Sequence, residues 1–132
     1  MTQEQLPLVA VPSMNDTHLE ELLIINKLDS AATSGDLQTL SETLTALLEH
    51  TIEHFSNENK MMQEAHFPAF ETHKSEHDRH LHELQSVIKY FKANQDPSAI
   101  TAYIYGTLIP WLIHHIQTMD SMTALFLQQK NS

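Results

Sequence analysis

Apolar residues recur along this chain every three or four positions, the repeat of a helix with one buried face. The first stripe is His18, Leu22, Ile25, Leu28 and Ala32. It follows an arm of roughly residues 1–13 that carries Pro7 and Pro12. Ser13, with Asp16 three residues later, predicts a capping box that opens the helix. "TSGD" at 33–36 ends it: Gly35 suits the residue past a helix C-terminus, and Asp36 suits the cap of the next helix. The second stripe joins Leu37, Leu40, Leu44, Leu47, Thr51, His54, Glu58 and either Met61 or Met62. "AHFPAF" interrupts it, because Pro68 is tolerated only at a helix start.

The third stripe is Phe70, His73, His77, His80 or Leu81, Leu84, Ile88 and Phe91. "NQDP" then supplies Asp96 as a cap and Pro97 for the first helical position. The fourth stripe is Ile104, Leu108, Trp111, His115, Met119, Met122 and Phe126, with Pro110 inside it. That proline disturbs the helix locally. The carbonyl it crowds belongs to Gly106, which adds no side chain to the clash. The predicted elements are helices over about 14–33, 37–63, 69–92 and 97–127. Short turns between them predict an all-α, antiparallel up-down-up-down four-helix bundle with an N-terminal arm, a single domain over 1–132.

Polar groups sit on all four stripes. The second offers His54 and Glu58, the third His73 and His77, the fourth His115 and nearby Asp120, the first His18. Residues four apart share a face. At 1.5 Å per residue these groups fall near the start of the first and third helices and about two-thirds along the second and fourth. In an up-down bundle those depths coincide. Buried polar groups without good partners cost ~1–3 kcal/mol each, and their sum rivals the ~5–15 kcal/mol by which a domain is stable. A metal centre satisfies them together. Mixed imidazole and carboxylate donors suit iron well. The set is too large for one ion and fits two ions bridged by the carboxylates. The inward Glu-x-x-His pairs of ferritin-like diiron bundles are missing.

Composition narrows the rest. A net charge of −10 argues against nucleic acid and anionic membrane surfaces as partners. With no cysteine, disulfides and thiolate metal sites are excluded, whereas histidine is abundant at 10 residues. "MTQEQLPLVAVP" lacks the basic start and long apolar core of a signal peptide. "AYIYGTLIPWLIHHI" falls short of the ~20 apolar residues of a membrane span. A cytoplasmic location is the expectation.

The ordered motifs resemble a known family. "HFSNENKMM" is similar to the His-Phe-x-x-Glu-…-Met of hemerythrins, "HKSEH" to their His-x-x-x-His, and "WLIHHIQTMD" to their Trp-Leu-x-x-His-Ile-x-x-x-Asp. "VAVPSMNDTH" resembles the family's entry segment, and "FP" at 67–68 stands where the family often has Tyr-Pro. The resemblance spans about Val9 to Leu127, in the family's order, and is nearest to the single-domain bacterial kind. It implies two non-haem iron ions that bind dioxygen reversibly. His73, His77 and His115 would hold one iron. His18 and His54 would hold the other and leave it an open position. Glu58 and Asp120 would bridge the pair, together with an oxo or hydroxo group. The resemblance implies a carrier, buffer or delivery protein more readily than an enzyme. The alternatives are an oxygen or redox sensor acting through a separate partner, and a diiron peroxidase or nitric-oxide-consuming enzyme.

The resemblance assigns the ligand to the histidine before Ile116, hence His115, and helical geometry agrees: His114 is turned ~100° away, and Asp120, rotated ~140° from His115, must reach in from the side. Leu22, Phe55, Trp111, Leu112 and Ile116 are candidates for an apolar wall that excludes water. The chain departs from the family at Asn15, Thr17, Asn59 and His80, and its arm lacks the usual Trp. His80 stands where the family has Phe. It reads either as a boundary histidine with a solvated edge or as an imidazole that bonds a ligand histidine or supplies a proton. His50, His66, His82 and His114 read as surface residues.

Overall fold

The computed structural model describes residues 1–130. Three uninterrupted helices, α1 (Pro12–Ser34), α2 (Leu37–Glu64) and α3 (Phe70–Asn94), precede a fourth, α4, continuous over 97–130. No strand occurs among the described residues. α1 packs on α2 and α4, and α3 packs on α2 and α4, which closes a four-helix bundle. A single 3-10 turn, Gln3–Gln5, lies in the arm, whose Leu6 and Val9 pack on the core.

The caps follow local chemistry. Gly35 takes φ 72°, the left-handed conformation that glycine adopts without steric cost. Asp36 accepts the Thr39 N–H at 3.1 Å, and Asp96 accepts that of Ser98 at 3.1 Å. Two expected ends differ. α1 opens at Pro12 after Val11, so Ser13 and Asp16 form no capping box. Pro12 is pre-set for a first helical position, and Asn15 takes over the entry. Asn15 accepts the Val9 N–H at 2.9 Å and donates to the Val9 carbonyl at 2.9 Å, pinning the arm. α3 begins at Phe70, because Pro68 serves the end of α2 instead. His66 turns left-handed (φ 56°) and the Phe67 N–H reaches back to the Met62 carbonyl at 2.9 Å, a Schellman-type ending after which proline is common.

α4 is where periodicity misled. Its α-helical pieces, Pro97–Tyr103, Ile109–His115 and Ser121–Lys130, alternate with two π turns, Ile104–Leu108 and Ile116–Asp120. A π turn closes through i→i+5 bonds and so holds an extra residue. The first lies just before Pro110, where the α-helical bond would be lost anyway. The π turns displace the buried face by one position from uniform spacing. The inward residues are therefore Leu112, Asp120, Thr123 and Leu127, while Met122 is 65% exposed. Uniform helical spacing places Trp111, Met119, Met122 and Phe126 there instead. Leu37, expected inside, is 40% exposed at the first turn of α2.

The core has two unequal ends. The larger is built from Ile25, Leu28, Leu44, Phe91, Ile100 and Ile104 among others, all essentially without solvent contact. The smaller holds Met14, Ala65, Ala124 and Leu127. Each large buried side chain contributes ~1.5–3 kcal/mol. A layer of buried polar residues separates the two ends.

Candidate metal centre

That layer contains His18, His54, Glu58, His73, His77, His115 and Asp120, all buried. The structure brings all of them together. The five histidines turn Nε2 towards a common centre, and the two carboxylates lie between them. Glu58 presents Oε1 to His77 at 3.3 Å and His73 at 3.6 Å, and its other oxygen, Oε2, to His54 at 2.5 Å. Asp120 presents Oδ1 to His73 and His115, each at 3.1 Å, and Oδ2 to His18 at 3.1 Å. Each carboxylate thus gives one oxygen to the three-histidine group and the other to the two-histidine group.

Asp120 does not reach in from the side. The π turn Ile116–Asp120 begins immediately after His115, and the extra residue in its wide turn carries Asp120 beneath His115. The Ser121 hydroxyl donates to the Ile116 carbonyl at 2.7 Å within that turn.

The outer faces of the rings show how the imidazoles are set. The Thr123 hydroxyl lies 2.8 Å from His73 Nδ1 and reaches Met62 Sδ at 3.9 Å. With its proton on the sulfur, this hydroxyl would accept from Nδ1–H and leave Nε2, 3.1 Å from His115 Nε2, free for a metal. Asn59 Oδ1 accepts from His77 Nδ1–H at 3.0 Å, with the same result. Phe55 stacks on His77 at 3.8 Å, and Trp111 stacks on His115 at 4.5 Å. Leu22, Leu112 and Ile116 are buried, and Trp111 is half-buried with its indole N–H on Glu76 at 2.7 Å.

Electrostatics agree with a cation-binding layer. Burial alone would raise the Asp120 carboxyl, yet His115, His18 and His73 hold it well below the usual range. Burial and Asp120 push Glu58 up, and His54 and His77 outweigh them, so it is lowered. Burial works against a charge on His54, but Glu58 and Glu21 raise it well above an ordinary imidazole. Burial pushes His77 down, helped by the His73 and His115 charges and opposed by Glu58. His18 Nε2, His77 Nε2, Glu58 Oε1 and both Asp120 oxygens are buried without a well-aligned hydrogen-bond partner. Bare ring nitrogens and ionised oxygens gathered so closely are what metal ligands require. Three candidate ligand groups result among the described residues: Glu58, His73, His77, His115 and Asp120; His18, His54 and Glu58; and, behind His54, Glu21, His50 and His54. The residues present fit a buried metal centre.

Other expectations change. His80 is neither solvated nor a proton source near neutrality. It is 3% exposed, stacked on Trp111 at 3.7 Å, and forms no hydrogen bond among the described residues. Burial, only partly offset by Glu21, pushes it down to about 4. His50 is half-buried, with Nε2 3.3 Å from Glu20, whereas His66, His82 and His114 are exposed. Sequence reasoning missed Glu21 and Thr123. Glu21 sits one position before the stripe residue Leu22, and Thr123 faces inward only because the π turns shift α4.

A four-helix bundle that gathers five of its buried imidazoles and two of its buried carboxylates into one cluster defines a metal-binding protein of the histidine-rich helical class. A model of the hemerythrin HHE cation binding domain matches residues 9–124, and the chain belongs to the hemerythrin family. It is similar to a bacteriohemerythrin of Aquifex aeolicus, 29% identical over 111 residues that cover 84% of this chain and 85% of that protein. A bacteriohemerythrin of Methylococcus capsulatus is 28% identical over 113 residues, 82% of this chain and 81% of its own. The crystal structure of a wild-type hemerythrin matches with a TM-score of 0.82 at 25% identity, over 96% of this chain and 95% of that one. No helix among the described residues is long and apolar enough to cross a membrane.

Proposed function

We propose that this chain is a cytoplasmic diiron protein that binds and releases dioxygen, acting as a carrier, buffer or delivery protein. The observation that carries the reading is the division of oxygens: Glu58 and Asp120 each turn one oxygen to either histidine group. That arrangement suits two ions with both carboxylates as bridges. His73, His77 and His115 would hold one ion, and His18 and His54 would hold the other. When bound, ferrous iron supplies the redox chemistry that makes dioxygen binding reversible.

The chain's own residues do the rest. The two-histidine half offers one protein ligand fewer, so it has room for a small ligand. A pocket of about 240 Å³ lined by Ser13, Met14, Thr17, Met61, His54 and Glu58 reaches that half from the surface. Thr123 and Asn59 hold His73 and His77 in the tautomer that bares Nε2. Phe55 and Trp111 cover the histidine rings and keep water from them.

Metal analysis and visible spectroscopy test this. Two irons per chain are expected. The reduced protein should gain a visible absorption band in air and lose it when the oxygen pressure falls. Prompt oxidation to the ferric form, without a reversible band, would overturn carriage and favour a sensor or an enzyme.

A further inference from the structure

Glu21 is a third buried carboxylate, outside the set just described. It lies on α1, one turn from His18, and faces α2. Its Oε1 lies 3.3 Å from the Thr51 hydroxyl, whose shorter bond goes to the Leu47 carbonyl at 2.7 Å, and 3.7 Å from His54 Nδ1 and 3.9 Å from His50 Nδ1. Both of those Nδ1 atoms are buried and have no hydrogen-bond partner. Closing the gap to His54 takes roughly 0.8 Å, the difference between this separation and an ordinary N–H···O bond. The other outer partners are uncharged: Thr123 behind His73, Asn59 behind His77, and the Trp111 ring over His115.

Building on the diiron reading, we propose that Glu21 is a positioning residue for His54, a fixed negative charge behind one imidazole that makes the two-histidine half the more electron-rich half of the centre. A carboxylate that accepts the Nδ1 proton of a ligand histidine orients its ring and raises the basicity of Nε2. A hydroxyl or an amide oxygen orients the ring without adding charge. The half with fewer protein ligands is therefore compensated from its outer shell, and it is the half with room for a small ligand. Glu21 contacts neither metal nor dioxygen and acts through His54 alone.

Glu21→Gln keeps the size and removes the charge. It should weaken the more weakly held of the two ions by about 10- to 100-fold, the usual cost of losing such a partner. The other ion should change little, and the reduction potential of the iron-loaded protein should rise. Asn59→Asp puts a carboxylate behind His77 and should lower the potential while both ions stay bound. Zn²⁺ titration of the metal-free protein reads the affinity loss without redox chemistry. If the wild-type chain takes up fewer than two irons, the diiron reading fails, and Zn²⁺ affinity at His18 and His54 still decides the role of Glu21. Unchanged Zn²⁺ affinity and potential in Glu21→Gln would overturn the proposal. So would a third Zn²⁺ per chain that His50→Ala removes, because Glu21, His50 and His54 would then be a separate cation site. Should Glu21→Gln fail to fold, Glu21→Asp, which keeps the charge and draws it back from His54, decides instead: unchanged Zn²⁺ affinity and potential there overturn it.

Discussion

The two halves of this bundle solve opposite problems. Around Leu28, Leu44, Phe91, Ile100 and Ile104, helices meet through apolar surface alone, and burial itself supplies the stabilisation. Around His54, Glu58, His77 and Asp120, the same helices meet through groups that water solvates well. Burying those groups costs free energy unless partners satisfy them. The apolar half folds the chain and so can hold the polar half in a geometry that it would not choose by itself. The comparison teaches that the ligand layer is a load carried by the packed end and relieved by a bound cation.

The largest expected effect separates the halves directly. Iron bound at a free concentration of 1,000 times its dissociation constant adds about 4 kcal/mol. Thermal unfolding of the iron-loaded and chelated protein checks this, and coincident transitions would break the comparison. His54→Ala and His77→Ala should lose iron and this gain together.

In the apolar half the expectation reverses. Leu44→Ala should cost about 2–5 kcal/mol, read by denaturant unfolding. Its iron content should stay at the wild-type value. A loss of iron comparable to that in His77→Ala would show that the two halves are not separable.

His80 sits at the border and gives a pH test. Its folded value, about 4, lies below the ordinary 6.5. The unfolded chain therefore binds the proton first as pH falls. The stability of the neutral form is present in full above about 6.5 and is lost as pH drops towards about 4, by up to about 3 kcal/mol. In His80→Phe that part of the acid sensitivity should vanish. Parallel stability curves for the variant and the wild type between those limits would place the acid sensitivity elsewhere.

Removing the Asp36 cap by Asp36→Ala should cost about 1 kcal/mol with no change in metal. The smallest effect belongs to His114→Ala, within about 0.5 kcal/mol and with wild-type iron content. His115→Ala, one residue on, should lose iron. Equal damage from the two would undo the assignment in α4.

Much of this could be read from the chain alone, for reasons that are local. Four apolar stripes, the caps at Gly35, Asp36 and Asp96, and the prolines between them specify helices and short turns without reference to anything distant. Four-residue spacing puts His54 with Glu58, and His73 with His77, on shared faces of regular helices. What escaped depended on neighbours. The two π turns of α4 leave no mark in hydrophobic spacing, so only the folded helix shows that Asp120, Thr123 and Leu127 replace Met119, Met122 and Phe126 on the inner face. Glu21 gains its meaning from Thr51 and His54 on α2, and Asn59 from His77 on α3. Stacked on Trp111, which itself lies on His115, His80 is a buried residue rather than a boundary one. Sequence specified which groups each helix carries, because propensity and periodicity act within a helix. Tertiary structure decided which of them meet, because helical phase and outer-shell contacts are settled only when one helix packs against another.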